Sequence, residues 1–202
     1  TDASYQLYPP TSAKATDPIT GNDEQVTGNR LGIFANGTKA PGSGSIGIAV
    51  WSGTSRVLVQ DNTVAGHSSN EISLSRGSGH QVLKNRIGVN PTGTAVLGGT
   101  LGLVAQGTVD VQVGASNATG NQFGGLSGTA ILINTFSDSA GSGAKVVGNR
   151  IGLLADGSTA APVGGAGVAA TSPKVTVGPD NVIANAAAGG VSMSPRSTQS
   201  TV

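Results

Sequence analysis

The sequence predicts an all-β chain wound as a right-handed parallel β-helix, a solenoid of about six coils with long-loop and short-loop coils in alternating pairs. Three observations carry that prediction. A short motif built on asparagine returns six times, in order, along the 202 residues. Each copy is followed by a burst in which apolar residues occupy every second position, the signature of a half-buried strand. The composition is that of a chain made of tight turns, with 33 glycines, 3% aromatics and 10% charged residues against an ordinary share of about 25%. So few aromatics cannot fill a conventional core, yet Val, Ile and Leu recur too regularly for a disordered linker.

The motif is clearest in Gly28-Asn29-Arg30-Leu31-Gly32, Lys84-Asn85-Arg86-Ile87-Gly88 and Gly148-Asn149-Arg150-Ile151-Gly152. Weaker copies lie between and after them at Asn62-Thr63-Val64-Ala65, Asn121-Gln122-Phe123-Gly124 and Asn181-Val182-Ile183-Ala184. The rule is Asn, any residue, a large apolar residue, then Gly or Ala. The bursts that follow are Ile48/Val50, Ile72/Leu74, Leu103/Ala105, Ile131/Ile133, Val168/Ala170 and Val191/Met193. A small residue precedes the first apolar position in all but one, where Glu71 stands instead. A second burst comes before each Asn, with Val26, Val59, Val82 and Val146 three residues ahead of theirs, and Val113 and Val177 further ahead. One coil therefore reads strand, turn, strand, Asn turn, short strand, loop. Strands that always point the same way must stack in parallel at ~4.8 Å per coil, and parallel crossovers are almost always right-handed.

Loop length sets the pairing of coils. The next burst begins 8 positions after Val64, Phe123 and Ile183, but 16 or 17 after Leu31, Ile87 and Ile151. The long connections carry Asn36-Gly37-Thr38, Thr92-Gly93-Thr94 and Asp156-Gly157-Ser158 at matching places, which predicts three small hairpins along one edge. This pattern resembles the two-coil right-handed β-helix repeats of large secreted or surface-anchored bacterial proteins, over roughly residues 24 to 202. The resemblance implies a pectate-lyase-like (pectin lyase-like) fold and an extracellular or cell-surface place, and no single activity. Residues 1–23 are expected to form an irregular N-terminal extension or cap, and 24–202 the β-helix, ending in mid-coil.

The six turn asparagines, Asn29, Asn62, Asn85, Asn121, Asn149 and Asn181, are expected to stack as a structural ladder, each amide satisfying turn backbone and its neighbours. Arg30, Arg86 and Arg150 should face outward beside the hairpins. There they cover apolar surface or bond hairpin carbonyls, or else form a row of cations suited to an acidic polysaccharide. Trp51 is a candidate surface contact, or is covered by the N-terminal segment.

No catalytic, cofactor or metal site is expected. Asp61 and Asp180 share a coil position but lie four coils apart, ~19 Å, too far for the roughly 5–9.5 Å separation of a glycosidase pair. Neither His67 nor His80 has an evident acidic partner, and His80 is expected to face solvent. There is no cysteine and the net charge is +1, so neither thiolate chemistry nor a strong attraction to nucleic acid is expected. No apolar run approaches the ~18 residues of a membrane span, so no membrane insertion is expected. The chain opens on Thr1 rather than Met, as a processed or excised piece of something longer would.

The expected function is a non-catalytic extracellular structural or adhesive module, the alternative being a carbohydrate-binding or polysaccharide-degrading β-helix. Val191 and Met193 open a new coil, and Val202 lies in the start of its second strand. Those positions should meet neighbouring repeats of a longer chain or a second copy. In the second case Tyr5, Leu7 and Tyr8 of a neighbour are candidate anchors for head-to-tail strand addition into a filament.

Overall fold

Each coil gives one strand to each of three parallel sheets. The computed structural model describes residues 5–7, 21–116, 120–135 and 142–202. The first sheet runs Tyr5–Leu7, Ile46–Val50, Asn70–Ser75, Leu101–Gln106, Ile131–Asn134, Val168–Ala170, Val191–Met193. The second runs Gln25–Thr27, Leu58–Gln60, Gln81–Leu83, Gln112–Val113, Lys145–Val146, Thr176–Val177. The third runs Arg30–Leu31, Thr63–Val64, Arg86–Ile87, Gln122–Phe123, Arg150–Ile151, Val182–Ile183. The chain is thus an all-β parallel β-helix of about six coils.

The register puts like on like. Val26, Val59, Val82, Val113, Val146 and Val177 form one column. Leu31, Val64, Ile87, Phe123, Ile151 and Ile183 form a second, and Ile48, Ile72, Leu103, Ile131, Val168 and Val191 a third. β-Branched and aliphatic side chains suit this interior because each faces a near-copy of itself in the coils before and after. Burying each one fully contributes about 1.5–3 kcal/mol. The columns are closed from Val26 to Val177, but Ile183, Val191 and Met193 at the C-terminal end are only partly buried.

The expected N-terminal extension contributes strands to the stack. Gly21–Asn22 pairs in parallel with Thr54–Ser55, and Tyr5–Leu7 pairs with Ile46–Val50 of its own chain. Tyr5–Leu7 is thereby the edge strand of the first sheet. Tyr8 lies outside the described residues. At the other end Thr201 bridges Thr176, so a further coil has begun on both the first and the second sheet.

The turn between the second and third sheets is held by asparagine. Asn29 donates from both its backbone N–H and its Nδ2 to Asn62 Oδ1, at 3.0 Å each. The same pair of bonds joins Asn62 to Asn85, Asn85 to Asn121, Asn121 to Asn149 and Asn149 to Asn181. The remaining Nδ2 hydrogen goes to a carbonyl of the coil behind: Asn62 to Val26, Asn85 to Val59, Asn121 to Val82, Asn149 to Val113, Asn181 to Val146. An interior amide therefore uses every donor and acceptor position it has, which is what burial demands. In the fourth coil an insertion separates Val113 from Asn121, yet Asn121 returns to the ladder with unchanged bond lengths.

Replacing Asn121 with Ala strands the Asn85 N–H and one Asn85 Nδ2 hydrogen in a buried turn, at roughly 1–3 kcal/mol for each orphaned group, and leaves the Val82 carbonyl with the Gly114 N–H alone. Asn29→Ala orphans no acceptor-seeking neighbour and should cost about 1 kcal/mol or less. Urea denaturation of the two variants should show a far lower midpoint for Asn121→Ala. Equal midpoints would mean that the ladder does not hold the turns.

Candidate functional site

The third sheet turns its second set of side chains outward as one column: Arg30, Thr63, Arg86, Gln122, Arg150, Val182. Long-loop coils supply the arginines. Arg30 Nη1 donates to the Ala35 carbonyl at 2.9 Å and Arg150 Nη1 to the Ala155 carbonyl at 3.1 Å, so each fixes the hairpin five residues on. In the third coil the residue five on is Pro91, and the Arg86 side chain makes no hydrogen bond or ion pair with any described residue. The three equivalent arginines are therefore not equivalent in contact.

The hairpins form where the turn residues place them, with antiparallel bridges Ile33–Lys39, Val89–Val96 and Leu153–Ala160. Their turn side chains close on themselves. Asn36 accepts from the Thr38 N–H, Asn90 from the Thr94 N–H, and Asp156 from the Ser158 and Thr159 N–H groups. The Thr159 hydroxyl and these amides hold the Asp156 carboxyl down to about 2. The half-buried-motif slot that follows Asn121 carries a residue the sequence did not mark: Gln122 Nε2 donates to the Gly93 and Leu153 carbonyls at 2.9 and 3.2 Å, tying two successive hairpins together.

Two expectations about interior groups are corrected. His67 does have an acidic partner, Glu71: a 2.6 Å hydrogen bond joins His67 Nδ1 to Glu71 Oε2, and the His67 N–H donates to Oε1 at 3.0 Å. Both side chains are wholly buried, and His67 Nε2 has no partner. Glu71 stands in a column otherwise made of Gly47, Gly102, Ala130, Gly167 and Gly190. Room for it comes from the next coil, where any side-chain carbon at Gly99 would run into the Glu71 carboxylate. The fourth coil fills the same corner with Leu126 and Ala130, both buried. The pair was missed because His67 lies in the loop and Glu71 in the strand it leads into, so no strand or helix period links them.

His80 is the second correction. It is fully buried, in a column with Val57, Val111, Ala144 and Val175, rather than facing solvent. Its Nδ1 accepts from the Val57 N–H at 3.3 Å, and its Nε2 lies 3.2 Å from the Arg76 carbonyl, to which it donates as the neutral ring. Burial pushes its pKa below the usual histidine value, against a smaller opposing pull from the Arg76 carbonyl.

Among the described residues the remaining carboxylates form no cluster of three. Asp23 is bound by Arg56 at 2.7 and 2.8 Å, which lowers its pKa. Asp61 accepts from Gln60 Nε2 at 2.8 Å. Among the described residues no group of three or more His, Cys, Asp or Glu could hold a metal ion, and no helix is long and apolar enough to cross a membrane. Trp51 follows directly on Val50, which pairs with Leu7, and is 39% exposed. Comparison with family models, with curated proteins and with solved structures finds no match to this chain. The class of protein is defined by its fold alone, an all-β parallel β-helix.

Glu71→Ala should destabilise the fold by about 3 kcal/mol, because it leaves an imidazole buried without its partner. The double variant His67→Leu with Glu71→Ala copies the fourth coil and should regain most of that loss in urea melts. A double variant as weak as Glu71→Ala would show that the corner requires the pair itself.

His80 gives the sign of a pH effect. Its folded pKa lies below the unfolded value, so the unfolded chain binds the proton first on acidification. The stability it contributes is complete above about pH 6.5 and is lost as pH falls below that value. Melting temperatures at pH 8 and pH 5 should differ less in His80→Val, which matches its column, than in the parent. An unchanged difference would remove His80 as the cause.

Proposed function

We propose that this chain is a non-catalytic structural or adhesive module of an extracellular or cell-surface protein, whose coils continue end to end into a further repeat or a second copy, forming a filament. The observation that carries this reading is the difference between the interior of the stack and its C-terminal end. Ile183, Val191 and Met193 continue columns that are closed elsewhere, yet they stay partly exposed, and Val182 and Val202 are 50% and 75% exposed. Strands at that edge hold unpaired ladder groups, which invite a further parallel strand.

The ladder has a direction that suits such continuation. Each Asn donates toward the coil ahead, so Asn181 has an N–H with no successor to receive it, while Asn29 Oδ1 accepts from no described residue. A second copy stacked on this end would bring its Tyr5–Leu7 strand to the edge of Val191–Met193 and its Gln25–Thr27 strand to Thr201, one coil beyond Asn181, whereas a continuing repeat would bring its own asparagine to the Asn181 N–H. Tyr5–Leu7 already continues the first sheet in the right direction for this. The contact is heterologous and does not close, so it grows rather than forming a dimer.

The non-catalytic part rests on where the carboxylates are. Asp23, Asp156 and Glu71 are each held by their own partners, and Asp61 and Asp180 stay four coils apart. The extracellular placement and the pectate-lyase-like affinity rest on the resemblance of the two-coil repeat to those of secreted bacterial proteins.

Sedimentation of the intact chain should show concentration-dependent growth, and Val191→Lys with Met193→Lys should abolish it while the coils remain folded by circular dichroism. A monomer at high concentration would remove self-stacking. New reducing ends or unsaturated products on incubation with acidic and neutral glycans would overturn the non-catalytic reading.

A further inference from the structure

The structure assigns the tip of the first hairpin as a modification site, with Asn36 the acceptor of an N-linked sugar. Asn36-Gly37-Thr38 has the Asn-x-Thr pattern of such acceptors, with no proline in the middle. Asn36 and Thr38 are both exposed, at a turn closed by the Phe34 N–H donating to the Thr38 carbonyl at 2.8 Å. Gly37 bends the tip at φ 85°, a left-handed value that suits glycine.

The hydrogen bonds at the tip suit the chemistry. The Thr38 hydroxyl donates to Asn36 Oδ1 at 2.7 Å, and the Thr38 N–H donates to the same oxygen at 3.1 Å. No described residue takes a hydrogen from Asn36 Nδ2, the atom that must react. Transfer joins Nδ2 to the anomeric carbon of a sugar held on a diphosphate. The bond from that carbon to the phosphate oxygen breaks, the diphosphate leaves with the electron pair, and the amide gives one proton to a base of the transferase. As Nδ2 loses its proton, negative charge gathers on Oδ1, where the two donors already aimed at it stabilise it.

The other hairpins show what the turn alone requires. Asp156 stands at the place of Asn36 in the third hairpin and accepts from the Ser158 and Thr159 N–H groups, but it has no amide nitrogen. Thr92 stands there in the second. Asn90-Pro91-Thr92 also spells Asn-x-Thr, but its middle residue is proline, and Asn90 Nδ2 donates to the Thr94 hydroxyl at 3.4 Å. Asn36 also has room beside it. With Thr38, Pro91 and Leu97 it lines a cleft of about 470 Å³ between the first two hairpins, which no hydrogen bond among the described residues joins. The second and third hairpins are instead tied by Gln122 and by the Ala155 N–H on the Gly93 carbonyl. The cleft falls within the range of small-molecule sites, roughly 300–1,000 Å³, and takes the first sugar ring next to the acceptor. Asn117-Ala118-Thr119 repeats the pattern in sequence and lies outside the described residues.

Two measurements test the assignment. The chain isolated from the cells that make it is digested with trypsin, and the mass of the Leu31–Lys39 peptide, whose one asparagine is Asn36, is read. It should carry a sugar. Separately, the folded, unmodified full chain is incubated with a soluble transferase specific for Asn-x-Ser/Thr and its nucleoside diphosphate hexose. The same peptide should gain one hexose, Thr38→Val should lose that gain and Thr38→Ser should keep it. Asn36→Asp should lose it with an unchanged melting temperature, since the third hairpin folds with aspartate at that place. A bare peptide from the native chain, labelling that appears only after unfolding, or labelling of Thr38→Val as full as the parent's overturns the proposal. So does conversion of Asn36 to aspartate and isoaspartate with no sugar, which marks chemical ageing of an Asn-Gly pair. A sugar at Asn36 on a chain that sediments as a monomer supports this proposal and removes self-stacking, so the two readings fail separately.

Discussion

Every feature of this molecule depends on one constraint: backbone hydrogen bonds between parallel strands fix successive coils at ~4.8 Å. At that spacing a side chain's principal neighbours are the residues at the same place in the coils before and after it. Chemistry is therefore sorted by position within the coil rather than by proximity in sequence. Apolar positions become closed columns, and amides become a ladder in which each Asn is both donor and acceptor. The ladder is the polar counterpart of the Val and Ile columns, and it works only because the spacing between its rungs is the spacing of the strands. An insertion such as the one before Asn121 is tolerated because Val113 before it and Asn121 after it both keep their columns.

That same sorting explains what could be read from the sequence. The three sheets, the alternation of long and short loops, the hairpins and the ladder all repeat, so each is visible six or three times over. Asn29 to Asn181 could be assigned a role because six independent copies demanded one explanation. Single events are different. His80 reads as a polar residue near a strand and gives no sign of facing inward until it is set against Val57, Val111, Ala144 and Val175. Glu71 was visible as a break in a run of small residues, but its meaning required knowing that His67 lies in the turn just before it and that Gly99 clears space in the next coil. Gln122 occupies a slot that the motif leaves open, and its bonds go to hairpins 29 and 31 residues away. The arginines divide for a similar reason: their motif is identical, and only the hairpin residue five positions on differs, Ala35 and Ala155 against Pro91.

The departures from repetition are not scattered. His67, Glu71 and His80 all lie between Asn62 and Asn85, the shortest passage from one ladder asparagine to the next, and all three are wholly buried. Each replaces a residue that is apolar or small in the equivalent place of other coils. A solenoid's stability is roughly the sum of its repeats and the interfaces between neighbours, so a coil built this way is a local property that need not be shared by the rest. It also carries the group whose protonation is opposed by burial, and the fourth coil shows that an aliphatic solution to the same corner exists in this very chain.

Position within the coil also separates the two surfaces on which a function can rest. The open C-terminal end exposes what the interior is made of, column residues and ladder donors, and its specificity is that of one more coil. The flank exposes what the interior does not use. There, side chains are free to vary between coils without disturbing the stack, and they do: the turn position before the ladder alternates among glycine, aspartate and lysine, and the outward column of the third sheet among arginine, threonine, glutamine and valine. A uniform flank would carry a periodic surface with no preferred place along it. This flank is not uniform, and at its two adjacent glycines the cause is packing: a side-chain carbon at Gly120 would run into the Gly148 carbonyl, and one at Gly148 into the Ser116 backbone, so glycine is what lets these turns approach.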